Sequence, residues 1–162
     1  MDILTGILKI GAVILLVLLN GFFVAAEFAI VKVRATQIDS LVKSGLRRAR
    51  IAQHVVTNLD KYLSASQLGI TMTSLGLGWL GEPVVAHMLE PVFAWFGISD
   101  STLISTISFA VGFTIITFLH IVVGEQAPKW LAIQRAQRTT LFIAGPLHLF
   151  LVIFRPFIWL LN

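Results

Sequence analysis

The stretch HIVVGEQAPKWLA, residues 120–132, closes one of the most apolar runs in the chain with a glutamate, a proline and a lysine. Pro128 has no N–H, so in a helix the carbonyl four residues earlier, that of Gly124, loses its donor. Gly124 has no side chain to cover that oxygen. A bare backbone oxygen beside the Glu125 carboxylate suits a hard cation that takes oxygen ligands. Irregular backbone at membrane depth is tolerated where it lines a cavity. The competing reading is local: Pro128 ends a helix and Glu125 pairs with Lys129 at its end.

Other polar residues sit in apolar surroundings. Asn20 and Glu27 are seven apart, within about 20° of each other on a helix, so both can face a bundle interior. Asn20 then reads either as a ligand or as interhelical glue, and Glu27 as a site residue or as a partner of Lys32 or Arg34. Ser64, Gln67, Thr71, Ser74 and Gly78 form a stripe at spacings of three and four. Such a stripe is a helix-packing face, and Ser74/Gly78 fits small-xxx-small packing. A ligand role is plausible at its first end, Ser64 and Gln67. Ser101, Ser105, Ser108 and Gly112 make a similar small face, read as packing and as a candidate dimer seam. His54, His87, His120 and His148 have no ligand spacing and read as packing or interfacial. HExxH, G-x-S-x-G and P-loop motifs are missing, so an enzyme is not expected. Without cysteine, disulfides and thiolate metal sites are excluded.

The elements that must position these residues follow from hydropathy and charge. Of 162 residues, 57% are hydrophobic and 12% charged, and mean hydropathy is +0.90, which places the chain in a membrane. We expect an all-α integral membrane domain occupying residues 1–162. Its spans are about 3–31, 63–80 and 102–123. The first is about 43 Å long against a hydrocarbon core of ~30 Å, so it must tilt or protrude. Lys32, Arg34, Lys43, Arg47, Arg48, Arg50 and Lys61 follow the first span, and Lys129, Arg135 and Arg138 follow the third. Residues 82–100 carry three acids and no Lys or Arg. The positive-inside rule therefore puts 32–61 and the C-terminus in the cytoplasm, and the N-terminus and 82–100 outside. Residues 32–61 read as a cytoplasmic amphipathic hairpin that touches anionic lipid rather than nucleic acid. Residues 141–162, interrupted by Pro146, Arg155 and Pro156, read as a juxtamembrane helix lying in the membrane plane. With this topology Asn20, Ser64 and Glu125 all fall toward the cytoplasmic side, where three helices can bring their oxygens together.

NGFFVAAEFAIVKVR, YLSASQLGITMTSLGLGWLGEP and GEQAPK resemble the transmembrane domain, DUF21, of the CorC/CNNM magnesium transporters. The resemblance covers nearly the whole chain in order. It implies a homodimer with three transmembrane helices per protomer, exporting Mg²⁺ with Na⁺ as a candidate coupling ion, in the plasma (cell inner) membrane. Its metal site maps onto Asn20, Ser64, Gly124 and Glu125, with Glu27, Gln67, Pro128 and Lys129 in support. Family members usually carry two aliphatic residues where this chain has Gln126 and Ala127. They usually continue into a cytosolic CBS-domain pair that binds ATP, whereas this chain stops at Asn162 as an excised membrane domain would. The alternative left open is a non-transporting Mg²⁺-sensing or anchoring module that regulates another transporter.

Overall fold

The computed structural model describes residues 3–97 and 100–161, and among these every regular element is helical. Helix α1 runs Ile3–Lys32, α2 Ala35–Lys43, α3 Arg47–Thr57 and α4 Leu59–Trp95. Helix α5 (Ser101–Leu119) passes through a π-helical segment, His120–Gln126, into α6 (Ala127–Gln134). Helices α7 (Ala136–Ile153) and α8 (Arg155–Leu161) complete the chain. Residues 1, 2, 98, 99 and 162, which belong to the expected outer N-terminus, the 82–100 segment and the 141–162 helix, lie outside the described residues.

Three helices are long and apolar enough to cross a membrane: Leu4–Lys32, Ser101–Gln134 and Ala136–Ile153. The first covers all but residue 3 of the expected span 3–31, and the second contains the expected span 102–123. The expected span 63–80 lies inside α4, whose 37 residues include Gln67, Thr71, Thr73 and Ser74. Those polar side chains make it the least apolar of the three expected crossings. α4 also runs on through Pro83 and Pro91 to Trp95, so much of the 82–100 segment is helix. It stops where Gly97 adopts φ +69°, a left-handed turn that costs glycine little. Asp100 then starts α5 by accepting from the backbone N–H groups of Thr102 and Leu103 at 2.8 and 3.2 Å. The expected helix over 141–162 is two helices, divided at Phe154, and the first is long enough to span.

Contacts fix how the long helices run. Thr73 meets Asn20, Gly69 faces Phe23 and Gly76 faces Leu16, so α4 is antiparallel to α1. Gly124 meets Asn20, and the Lys129 ammonium lies 4.5 Å from the Phe28 ring centre, so α6 runs with α1. Helices α2 and α3 pair through Gln53 Nε2, which donates to Asp39 Oδ1 at 2.8 Å. They bury Ile38, Ala49, Ala52 and Val55.

The interior has two apolar clusters. One joins Val13 and Val17 of α1 to Leu77, Val84 and Val85 of α4 and Ile116 of α5. The other, at the basic end, joins Phe23, Ala26 and Ile30 to Ile38, Val55, Tyr62, Ile143 and Leu147. The buried face of α4 is Tyr62, Ser66, Gly69, Thr73 and Leu77, while Gln67, Thr71 and Gly78 are exposed. The expected packing stripe thus has the right period but lies one residue, about 100°, off the buried face. On α5, Ser108, Gly112 and Ile116 are buried within the protomer, and a Cβ at Gly81 would come within 2.9 Å of Ile116. The inner part of that small face therefore packs on α4, and only its outer part, with Ser101 and Ser105, is exposed.

Candidate functional site

Between the two apolar clusters lies a polar layer centred on Asn20. On α1, Asn20 stands one turn after Val17 and one turn before Phe23, and it is 1% exposed. Its Nδ2 donates to the Gly124 carbonyl at 2.9 Å. Its Oδ1 accepts from Thr73 Oγ1 at 2.9 Å and from Ser74 Oγ at 3.2 Å. Ser74 Oγ is also 3.2 Å from His120 Nε2. Three segments of the chain, α1, α4 and the π-helical turn that follows α5, thus share one hydrogen-bonded set. A buried amide without partners would cost several kcal/mol, of order 1–3 per lost bond, so the set fixes the register of α1, α4 and α5.

The backbone at this layer is built for close approach. Pro128 does not end the helix; the chain absorbs it in the π-helical turn and continues into α6, where the proline occupies the first turn and its missing N–H is tolerated. The Gly124 carbonyl, expected to be bare, is covered by the Asn20 amide. A Cβ at Gly124 would stand 3.2 Å from His120 Cδ2 and 3.3 Å from Asn20 Nδ2. A Cβ at Gly21 would stand 2.9 Å from Pro128 Cγ. The Asn20-Gly21 pair of α1 therefore fits against Gly124 and Pro128 because both glycines lack side chains.

Of the expected ligands, Asn20 and Gly124 meet directly. Glu125, next to Gly124, is half-buried and makes no hydrogen bond or ion pair among the described residues. The Glu125–Lys129 pair of the competing reading is not formed; Lys129 lies over the Phe28 ring instead. Ser64 is half-buried and lies roughly 14 Å along α4 from Thr73, level with Glu27 on antiparallel α1. Glu27 is half-buried, likewise without hydrogen bond or ion pair among the described residues, and Gln67 at that level is exposed. Thr73 and His120 were not singled out as site residues. His120 is four residues before Gly124, a spacing that puts both on one helix face and that could have found it.

A family described as the cyclin M transmembrane N-terminal domain, CNNM, matches residues 10–162. The chain belongs to this family. It is 54% identical over 162 residues to the UPF0053 protein YhdT of Bacillus subtilis, covering 100% of this chain and 34% of that protein. It is 51% identical over 148 residues to YrkA of the same organism, covering 91% and 34%. An uncharacterized protein of Mycobacterium tuberculosis, Rv1841c, is 33% identical over 162 residues, covering 100% and 45%. The chain thus spans about a third of the length of its Bacillus relatives. The chain is thus a CNNM membrane domain. Its polar layer offers neutral oxygens from Asn20, Thr73, Ser74 and the Gly124 backbone, a donor set that fits a hard cation better than a soft one.

Proposed function

We propose that this CNNM domain moves Mg²⁺ out of the cell through a site open to the cytoplasmic side, with Na⁺ as a candidate coupling ion. The observation that carries the reading is the buried Asn20 layer at an interrupted membrane helix. Polar groups at such a position are expensive and mark ion pathways.

Asn20 is the part that can change. Turning its amide over would aim Oδ1 at the Gly124 oxygen, two acceptors facing each other, which is unfavourable unless a cation lies between them. The hydroxyls tolerate that turn. Thr73 Oγ1 has the Gly69 and Ile70 carbonyls as alternative acceptors at 2.8 and 3.0 Å. Ser74 has His120 Nε2 in its unprotonated form. Each hydroxyl can redirect its hydrogen and accept from Asn20 Nδ2, so only the Gly124 carbonyl loses a partner. Mg²⁺ would replace that partner. It takes about six oxygens at roughly 2.0–2.1 Å. Asn20 Oδ1, the Gly124 carbonyl and Glu125 would supply the first, with water or backbone completing the shell. Ser64, at the level of Glu27, would meet the ion on the cytoplasmic approach, with Gln67 beside that path. With one carboxylate at the layer, binding stays weak enough for release.

The domain would act as a homodimer, and the exposed polar stripe of α4, Gln67, Thr71 and Gly78, supports that. ATP would act only through CBS domains beyond this chain. Mg²⁺ flux in proteoliposomes, with and without a Na⁺ gradient, tests the reading. We expect flux that Glu125→Gln reduces at least tenfold. Mg²⁺ binding without flux would overturn transport and favour the regulatory module. Orientation is tested by cysteine labelling at Ser44 and Ser101, which should react from opposite sides.

A further inference from the structure

At the basic end of the bundle, α3, the start of α4, α7 and α8 surround a cavity of about 420 Å³ that the cation layer does not use. Lys61 and Arg155 both line it, and no carboxylate among the described residues does. Deeper in, Tyr62 Oη and His148 Nδ1 are 2.6 Å apart. Tyr62 is 1% exposed, so this pair is a built part of the wall. Whichever group donates, the pair keeps one hydrogen to give: Nε2–H if the phenol donates, the phenol O–H if Nδ1 does. His54 and Asn58 also line it, and the rest of the wall is apolar, formed by Leu151, Val152 and Ile158 with the exposed Trp159 beside them. One side therefore offers two cations and a neutral donor, and the other offers hydrocarbon.

Arg155 gains a reason from this arrangement. It interrupts an apolar run of 22 residues, 141–162. The chain breaks helix at Phe154, with φ −95° and ψ 14°, and restarts at Arg155. The break puts its guanidinium on the same cavity as Lys61 rather than on the apolar face of a continuous helix.

We propose that this cavity binds an anionic phospholipid. Lys61 and Arg155 hold its phosphate, the Tyr62–His148 pair donates a further hydrogen bond, and an acyl chain lies on Leu151, Ile158 and Trp159. Basic pockets between membrane helices take phosphate headgroups in this way, and an interfacial tryptophan suits the headgroup level. A second hollow at the same end provides the contrast. It is about 610 Å³ and carries Lys32, Arg34, Arg135 and Arg138, but its other residues are mostly glutamines. Arg135 and Arg138 also edge an apolar hollow of about 380 Å³ beside Leu18, Phe22 and Phe142, but neither hollow is lined, among the described residues, by a polar pair like Tyr62–His148.

Native mass spectrometry of the chain in nonionic detergent tests the proposal, with phosphatidylglycerol, phosphatidylcholine and glycerol 3-phosphate as probes. We expect phosphatidylglycerol to bind tightest. Lys61→Gln/Arg155→Gln should weaken it roughly 25-fold, about fivefold for each charge. Arg135→Gln/Arg138→Gln, which removes the same charge elsewhere, should leave it within about twofold of the unaltered chain. Tyr62→Phe/His148→Leu, which removes both possible donors and neither Lys61 nor Arg155, should cost a few-fold and carries the test if Lys61→Gln/Arg155→Gln does not fold. Equal losses in Lys61→Gln/Arg155→Gln and Arg135→Gln/Arg138→Gln, or no change in Tyr62→Phe/His148→Leu and Lys61→Gln/Arg155→Gln, would overturn the proposal. Phosphatidylcholine binding as tightly would overturn the anionic preference, and glycerol 3-phosphate binding as tightly would overturn the lipid.

Discussion

Pro128 and Pro156 both interrupt helices, and they do so differently. At Pro128 the helix survives as a π-helical turn, and the carbonyl that the proline cannot serve, on Gly124, is buried and takes a hydrogen bond from Asn20. At Pro156 the helix breaks outright at Phe154, and the prolyl ring and its neighbours Arg155 and Phe157 are exposed. Pro83, Pro91 and Pro146 sit inside helices without such a break. Proline alone therefore does not decide the outcome. What sets Pro128 apart is that a distant side chain, Asn20, replaces the lost donor, and in a membrane that replacement is also a place where polar atoms are stored.

The comparison can be broken at its strongest point first. Asn20→Leu removes the donor to Gly124 and the acceptor of Thr73 and Ser74, and should lower stability by about 3 kcal/mol, read as a fall in melting temperature in detergent. Gly21→Ala should come next, at roughly 1–3 kcal/mol, because the new methyl meets Pro128 where the helices cannot part easily. Thr73→Val should cost only about 1 kcal/mol of stability yet weaken Mg²⁺ binding more than that, since the turned amide would lose its acceptor. Titration calorimetry separates the two effects. Pro156→Ala should change stability by no more than about 0.5 kcal/mol, since the break there is exposed and no distant side chain depends on it.

Much of this arrangement is legible in the sequence. Asn20 and Gly124, both legible as polar sites in apolar helices, are brought together, because a polar residue in an apolar helix must find a partner and a glycine admits close approach. The charges marked the basic end at which Lys32, Arg34, Arg135 and Arg138 gather. What failed was angular. Spacings of three and four give a helix its period but not its zero, so Gln67, Thr71 and Gly78 were placed on the packed face that belongs to Ser66, Gly69, Thr73 and Leu77. The same spacing that drew attention to Ser64 says nothing of its level, roughly 14 Å from Thr73. The Gly124 carbonyl reads as bare because the sequence does not reveal that α1 supplies the donor that Pro128 lacks.

The central claim is that Mg²⁺ replaces the Asn20–Gly124 hydrogen bond. The side-chain amide signals of Asn20, followed by NMR during a Mg²⁺ titration of the labelled chain in micelles, test it most directly. Those signals should shift and saturate with Mg²⁺, and should respond only at much higher Mg²⁺ in Glu125→Gln. If Mg²⁺ binds while the Asn20 amide stays where it was, the Asn20 layer is helix glue and the cation site lies elsewhere.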